Sequence, residues 1–213
     1  FCTRMDNKNI KNIIFDFGGV ICDLNKERCL AEFQKIGLSN DIFPKQYSQF
    51  EGIFQKIDRG TASTEEFYRT LQRQSTFPHI TYQQIHDAWV SLVTPIQPER
   101  FEALRQLREH FDLYILSNSN EIHWEHIRHN MMKYHGEDAT TWFKHIFLSH
   151  VIHLEKPETA LYQTVLDTAN IEACETLFID DSQINLDGAA KLSIHTMLST
   201  NGDWVSKLLQ HTH

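Results

Sequence analysis

The chain has 213 residues, a length that allows one domain or one domain with a small insertion. Lys and Arg number 20 against 28 Asp and Glu, so the formal net charge at pH 7 is −8. Nucleic-acid binding needs a basic surface, and we therefore expect no nucleic-acid partner. Hydrophobic residues make up 41% of the sequence, which is enough for a sizeable buried core and excludes an intrinsically disordered chain.

Apolar runs and cysteine spacing set expectations about location. The longest apolar runs, such as 13–15 and 177–179, are far shorter than the roughly 20 residues that cross a bilayer. The first residues lack the apolar stretch of a secretion signal, and the four cysteines show no C-x-x-C spacing. We expect a cytoplasmic protein with no membrane partner.

Short apolar runs that end in polar residues alternate with helical patterns along the chain. This alternation is typical of βα units around a parallel sheet and predicts an α/β fold. The predicted strands cover 13–15, 113–116, 146–148, 177–179 and 194–198.

Two helices of the core are predicted from local signals. Phe101, Leu104 and Leu107 recur at a spacing of three, which places them on one helix face. Pro157 is expected to open another helix, at the first position, where a missing N–H costs nothing.

The first two predicted strands are separated by roughly 100 residues, much more than a usual βα connection. This stretch has helical patterns, and Ser63 with Glu66 offers a capping box at a helix start. We predict a small helical cap at 25–95, inserted into a core formed by 6–24 and 96–213.

Candidate chemical groups stand where the predicted strands end: Asp16, Ser117 with Asn118, and the pair Asp180 and Asp181. Ligands of open parallel sheets bind at the carboxyl ends of the strands, which makes these positions candidates. Each residue alone is more often a turn or capping residue than a catalytic one. Their combination is what favours a site.

Carboxylates at adjacent strand ends need a positive partner, because two charges 4 Å apart repel by about 4 kcal/mol at an effective dielectric near 20. Hard oxygen ligands favour Mg²⁺, which binds one or two carboxylates together with phosphate oxygens. The Ser117 hydroxyl and the Lys156 ammonium would complement a phosphoryl group, and Asp16 could attack phosphorus to form an aspartyl-phosphate.

Four stretches in chain order resemble the signature motifs of the haloacid dehalogenase superfamily. They are 13–20, 115–118, 156–158 and 178–185, and a helical insertion directly after the first is also typical. The resemblance spans nearly the whole chain. Within the superfamily the chain is most similar to bacterial glucose-1-phosphate phosphatases and, more loosely, to the phosphatase domain of soluble epoxide hydrolases.

The resemblance implies a Rossmann-like core, a closing cap and a Mg²⁺-dependent phosphatase for a small phosphorylated metabolite, such as a sugar phosphate. It implies that Asp16 is the nucleophile. The implied metal group is Asp16, the Gly18 carbonyl and Asp180, with Asp181 acting through a metal-bound water or orienting its neighbours. The implied phosphate-binding group is Ser117, Asn118 and Lys156.

One position departs from the family pattern. Many family phosphatases carry a second Asp two residues after the nucleophile as general acid and base, a role that typically contributes 10²- to 10⁴-fold, whereas this chain has Gly18. We hypothesise that the substrate is a sugar 1-phosphate, whose leaving group needs less protonation. Alternatively, Asp23 or a cap residue supplies the proton. The Arg59 guanidinium could contact substrate oxygens, although the interpretation of Arg59 as a surface arginine on a turn is slightly favoured.

The sequence leaves alternative functions open. The same Asp could hydrolyse a carbon–halogen bond without metal, as in the 2-haloacid dehalogenases, although the paired Asp180 and Asp181 argue against it. A non-catalytic phospho-ligand-binding protein and a phosphomutase are further alternatives. His123, His126 and His129 are expected to be exposed on a helix rather than to form a metal site.

Overall fold

The computed structural model describes residues 9–39, 41 and 52–209. Five strands form one parallel sheet: β1 (Asn12–Phe15), β2 (Asp112–Ser117), β5 (His145–Leu148), β6 (Thr176–Asp180) and β7 (His195–Leu198). A separate antiparallel ribbon consists of β3 (Lys133–Tyr134) and β4 (Glu137–Asp138). All five predicted strands are confirmed, with ends shifted by at most one residue.

The strand order of the main sheet is β5-β2-β1-β6-β7. If the five strands of this sheet are numbered 1 to 5 in chain order, their order is 3-2-1-4-5, as in the doubly wound Rossmann fold. The chain first adds strands on one side of β1 and then, from β6 on, on the other side. Ligands of such folds bind in the crevice at this switch point. The ends of β1 and β6 are therefore where a site is expected.

Ten helices are described. Four lie between β1 and β2 and within the predicted cap: α1 (Lys26–Lys35), α2 (Ile53–Asp58), α3 (Thr64–Gln74) and α4 (Tyr82–Val90). The other six accompany the sheet: α5 (Pro98–Leu107), α6 (Glu121–Asn130), α7 (Ser149–Ile152), α8 (Thr159–Ala169), α9 (Gln183–Ala190) and α10 (Trp204–Leu209). Residues 40 and 42–51 of the predicted cap, and 6–8 and 210–213 of the predicted core, lie outside the described residues.

Strand β1 is buried on both faces, which explains why it reads as an unbroken apolar run. Ile13 and Phe15 belong to the hydrophobic cluster on one side of the sheet, and Phe15 meets Trp204 edge-on at 5.0 Å between ring centroids. Ile14 points to the opposite face and joins the cluster that contains Phe178. The alternation follows from the two-residue period of a strand.

The cap helices have a hydrophobic core of their own, centred on Trp89 of α4. The Trp89 ring lies 6.2 Å from Phe33, 5.2 Å from Phe54 and 5.6 Å from Phe67, measured between centroids. These residues come from α1, α2 and α3, so the insertion folds as one packed unit and the predicted helical cap is confirmed. Ser63 caps α3, with its hydroxyl accepting a hydrogen bond from the Glu66 N–H at 3.1 Å, but between these two described residues the return bond from the Glu66 side chain that would complete the predicted capping box is not formed.

Pro157 does not open a helix, and that prediction was wrong. Helix α8 begins at Thr159 with Glu158 as its N-cap. The cause is Lys156, whose N–H donates to Asn118 Oδ1 at 2.9 Å and whose carbonyl accepts from Asn118 Nδ2 at 3.1 Å. This pair of hydrogen bonds fixes the segment around Pro157 as a loop.

Among the helices within the described residues, none is long and apolar enough to span a bilayer. Cys22 and Cys29 are buried free thiols, and Cys174 is an exposed one. Cys2 lies outside the described residues.

Candidate active site

Asp16 and Asp180 lie side by side because of the sheet register. Phe15 of β1 pairs with Ile179 of β6, so the residue that follows each of them reaches the same edge of the sheet. The Asp16 N–H continues the ladder by donating to the Ile179 carbonyl at 2.8 Å. Both aspartates are buried, with Asp180 completely inaccessible. The prediction that these strand ends meet is confirmed.

The Lys156 ammonium lies between these two carboxylates. Its Nζ is 2.8 Å from Asp16 Oδ1 and 2.7 Å from Asp180 Oδ2, and the whole residue is buried. Asn118 holds the Lys156 main chain in place through the two hydrogen bonds described above. One hydrogen of Asn118 Nδ2 is used on the Lys156 carbonyl, so the second hydrogen and the main-chain N–H are the groups of Asn118 that could donate to a phosphoryl oxygen. Ser117 ends β2 beside it and is also buried.

The site carries more negative than positive charge. Burial raises the pKa of Asp16 well above its usual value; Lys156 opposes this effect, and the neighbouring Asp180 and Asp181 add to it. Burial alone would lower the pKa of Lys156, but the attraction of Asp16 and Asp180 outweighs it and the pKa is raised. Burial and the charge of Asp180 also raise the pKa of Asp181. The charge of Lys26, at the start of α1, opposes the shift of Asp181, so among the described residues two ammonium groups act on these three carboxylates.

The donor set fits a hard divalent cation. One oxygen from each of Asp16, Asp180 and Asp181 lies within 4.8 Å of the other two. Carboxylate oxygens are the ligands that Mg²⁺ prefers. The positive charge of the ion would offset the repulsion among the three carboxylates, which adds to burial in raising the pKa values of Asp16 and Asp181. Gly19 makes room for Asp181: its φ is +85°, and a Cβ there would stand 2.3 Å from Asp181 Oδ2.

A cavity of about 1170 Å³ opens over these groups and beneath the cap. The core contributes Asp16, Gly18, Ser117, Lys156 and Asp181 to its wall. Gly18 lies against the side chain of Leu24: a Cβ added at Gly18 would be 3.1 Å from Leu24 Cδ1. A second aspartate at this position would therefore require Leu24 to move.

Arg59, the candidate for substrate contact, and Asp23, the alternative proton donor and a further candidate for substrate specificity, are placed differently. Arg59 points to the core, with Nη1 3.2 Å from Glu155 Oε1 and Nη2 2.6 Å from Glu158 Oε1, and it is not among the side chains that line the cavity. This geometry favours docking of the cap over substrate contact. Asp23 does line the cavity, but one of its oxygens is 2.7 Å from the buried Arg100 guanidinium.

His123 is buried, so the expectation of an exposed side chain was wrong for this residue. Its ring stacks on Trp89 at 4.3 Å between centroids, and its Nε2–H donates to the Trp89 carbonyl at 3.0 Å. Nδ1 is then the acceptor for Asn120 Nδ2 at 3.3 Å. Burial lowers the pKa of His123 to about 4, which keeps the ring neutral at pH 7. His129 is exposed as expected.

Asp58, at the end of α2, is a site residue that the sequence did not reveal. It is buried in the cavity wall, and its Oδ1 accepts a hydrogen bond from Asn120 Nδ2 at 2.7 Å. Burial raises its pKa to about 7; the Asn120 hydrogen bond opposes this shift, and the charge of Glu155 adds to it. In the sequence, Asp58 looks like an ordinary surface acid beside Arg59. Its burial results from its position where the cap contacts the core.

The raised pKa of Asp58 predicts a specific pH dependence of stability. Between about pH 4, where an unfolded Asp ionises, and about pH 7, the folded protein binds one more proton than the unfolded chain. As the pH rises through this window, the free energy of unfolding of the wild type should therefore fall relative to that of Asp58→Asn, which has no proton to lose. Chemical denaturation of both proteins at several pH values measures the difference, and parallel curves would contradict the prediction.

Comparisons with known proteins agree with this architecture. A family model described as haloacid dehalogenase-like hydrolase matches residues 10–192. A D-ribitol-5-phosphate phosphatase from Bacteroides thetaiotaomicron is 28% identical over 201 residues, which is 93% of this chain and 97% of that protein.

Solved structures give the same result. The chain matches a wild-type HAD family enzyme from Bacteroides thetaiotaomicron, in complex with magnesium and inorganic phosphate, with a TM-score of 0.86 and 34% identity over 93% of this chain and 99% of that one. A predicted HAD-like family hydrolase from Porphyromonas gingivalis matches with a TM-score of 0.85 and 29% identity over 95% and 97% of the two chains. The chain therefore belongs to the haloacid dehalogenase-like hydrolase family.

Proposed function

We propose that this protein is a Mg²⁺-dependent phosphatase that acts on a small phosphorylated metabolite, a sugar or polyol phosphate. The observation that carries the proposal is the placement of the Lys156 ammonium between Asp16 and Asp180, beside Asp181, at the floor of a cavity closed by the cap. The relative that acts on D-ribitol 5-phosphate by name, and the similar enzyme solved with magnesium and phosphate, support the same chemistry.

Asp16 is the proposed nucleophile. Its Oδ1 accepts hydrogen bonds from the Phe17 N–H at 2.6 Å and from Lys156, so Oδ2 is the oxygen available to attack phosphorus. Attack forms an aspartyl-phosphate as the bond from phosphorus to the alcohol oxygen breaks, and water then releases phosphate. Lys156 and Ser117, with Asn118, would hold the phosphoryl oxygens.

Asp16, the Gly18 carbonyl, Asp180 and Asp181 are the groups that would hold Mg²⁺. When bound, the ion would neutralise charge on the transferring phosphoryl group. Asp180 is oriented for this place by hydrogen bonds from the Ser182 N–H at 2.8 Å and from Asn185 Nδ2 at 3.0 Å. These bonds come from the start of α9 and fix the carboxylate before any ligand arrives.

Two substrate classes can be distinguished by leaving group. Gly18 prompted the hypothesis of a sugar 1-phosphate, whereas the named substrate of the relative is the phosphate of an ordinary primary alcohol. Faster turnover of sugar 1-phosphates than of 5- or 6-phosphates would support the first class. The likeness to solved dehalogenases, at 14% and 15% identity, extends to the fold alone and does not favour carbon–halogen cleavage.

A phosphate-release screen tests the proposal. We expect turnover of one or more sugar or polyol phosphates with Mg²⁺ and its loss with EDTA, because without the metal ion the three carboxylates outweigh the ammonium groups beside them and repel the substrate phosphate. Mg²⁺ should also stabilise the fold, by about 2.7 kcal/mol at 100 times its dissociation constant. Activity that survives EDTA on a 2-haloacid would instead support a dehalogenase. Tight ligand binding without phosphate release would support a binding protein, and phosphate transfer to a second sugar a mutase.

A further inference from the structure

Asp58 is anchored to the core from two directions. The Ser149 hydroxyl donates to its main-chain carbonyl at 2.6 Å, and Asn120 Nδ2 donates to its Oδ1 at 2.7 Å. Ser149 begins α7 and Asn120 is the N-cap of α6, so both partners belong to rigid elements of the core. A cap residue is thereby held in one position within the cavity wall.

Both hydrogens and the oxygen of the Asn120 side-chain amide have hydrogen-bond partners. Its Oδ1 accepts from the His123 N–H at 3.0 Å, and the two hydrogens of its Nδ2 go to Asp58 Oδ1 and His123 Nδ1. His123 in turn uses its remaining ring nitrogen on the Trp89 carbonyl. The network therefore ends at the second carboxylate oxygen of Asp58.

That oxygen, Oδ2, has no hydrogen-bond donor among residues 9–39, 41 and 52–209, although Asp58 as a whole is 5% exposed and lines the cavity. Oδ2 is not one of the fully buried polar atoms without a partner, so it is open to the cavity, where a donor on a bound ligand could reach it. Glu155 also lines this part of the wall, and its contacts with Arg59 and Gln55 are both made through Oε1. Asp58 thus offers an acceptor that the protein itself does not use.

We propose that Asp58 is a specificity-determining residue whose Oδ2 accepts a hydrogen bond from a hydroxyl on the organic part of the substrate. This inference rests on the proposed phosphatase function and narrows its substrate class to phosphates that carry free hydroxyls away from the ester. The anchors to Asn120 and Ser149 place the acceptor on the cap side of the cavity, while the ester binds at Lys156 on the floor. Substrate would therefore contact core and cap at the same time.

The variant Asp58→Asn isolates this role. Its carbonyl oxygen can still accept from Asn120, while its NH₂ group presents a donor to the cavity in place of the acceptor. Because the pKa of Asp58 is raised to about 7, Oδ2 is a free acceptor only above that pH, and the kinetics are therefore measured well above pH 7. There we expect kcat/KM for a polyol phosphate such as D-ribitol 5-phosphate to fall about 10- to 100-fold, mostly through KM. For phenyl phosphate, which has no hydroxyl, we expect a change of less than about 3-fold. Asp87→Asn, the same substitution on the exposed side of α4, is the matched control and should change neither.

The outcomes separate the inference from the proposed function. Equal losses on both substrates would mean that Asp58 only positions the cap and would overturn the inference, as would unchanged kinetics on the polyol phosphate. A wild-type protein that releases phosphate from neither substrate would overturn the proposed function itself. If Asp58→Asn does not fold, wild-type kinetics with alkyl phosphates of the same chain length replace it, and equal kcat/KM with and without hydroxyls would refute the inference.

Discussion

Asp16→Asn should abolish phosphate release, with kcat falling by on the order of 10⁴-fold or more, because an amide oxygen is a poor nucleophile toward phosphorus. The fold should survive. Burial raises the pKa of Asp16, which means that its negative charge is unfavourable in the folded state, and a neutral residue of the same shape removes that charge. Phosphate release and thermal unfolding of the Mg²⁺-free variant measure the two effects.

The matched control is Asp112→Asn at the start of β2. Asp112 forms an exposed ion pair with Lys144 at 3.4 Å, and such pairs contribute about 0–1 kcal/mol. Activity should be unchanged in this variant. Substantial turnover by Asp16→Asn would refute the assignment of the nucleophile, whereas a large loss of thermal stability would refute the interpretation of its raised pKa.

Lys156→Met should affect both stability and catalysis. Removing the ammonium leaves Asp16 and Asp180 buried without a cation, and breaking a buried ion pair in this way costs about 3–5 kcal/mol. For a chain of this size that loss corresponds to a decrease in Tm on the order of 10 °C. Turnover should fall about 10²- to 10³-fold or more, since a preorganised donor to the phosphoryl oxygens is lost.

Mg²⁺ provides an internal check on this variant. Because the ion supplies positive charge among the same carboxylates, it should raise the Tm of Lys156→Met more than that of the wild type. The control is Lys144→Met, the other half of the exposed pair with Asp112, where neither Tm nor turnover should change appreciably. Equal stabilisation of Lys156→Met and the wild type by Mg²⁺ would contradict a cation site at Asp16 and Asp180.

The core and its strand-end residues could be predicted from sequence because local patterns determine them. An apolar run followed by Asp, as at Asp16 and Asp180, predicts both a buried strand and the edge at which its last residue lies. Parallel registry then brings separate runs to one edge, without any knowledge of loops or helices. The family resemblance added the order of the motifs and the helical cap.

The residues at the boundary between cap and core were less accessible to prediction. Asp58 and His123 look like ordinary polar helix residues in the sequence, and their burial arises only when α2 and α4 dock on α6. Arg59 was noticed for its charge, but the sequence does not contain the information that Glu155 and Glu158 surround it. Docking of this kind depends on long-range packing that periodicity does not encode.

The contacts of the cap and the proposed phosphate-binding groups lie on the same two stretches of main chain. Residues 117–120 run from Ser117 to the partner of Asp58, and residues 149–158 contain Lys156 between docking contacts at both ends. At Gly60, a Cβ would stand 2.1 Å from the His150 carbonyl, so the two surfaces meet without a gap. Lifting the cap would therefore strain the loops that we propose bind phosphate. We expect product escape to be coupled to this movement, so that turnover of the best substrates slows as solvent viscosity rises.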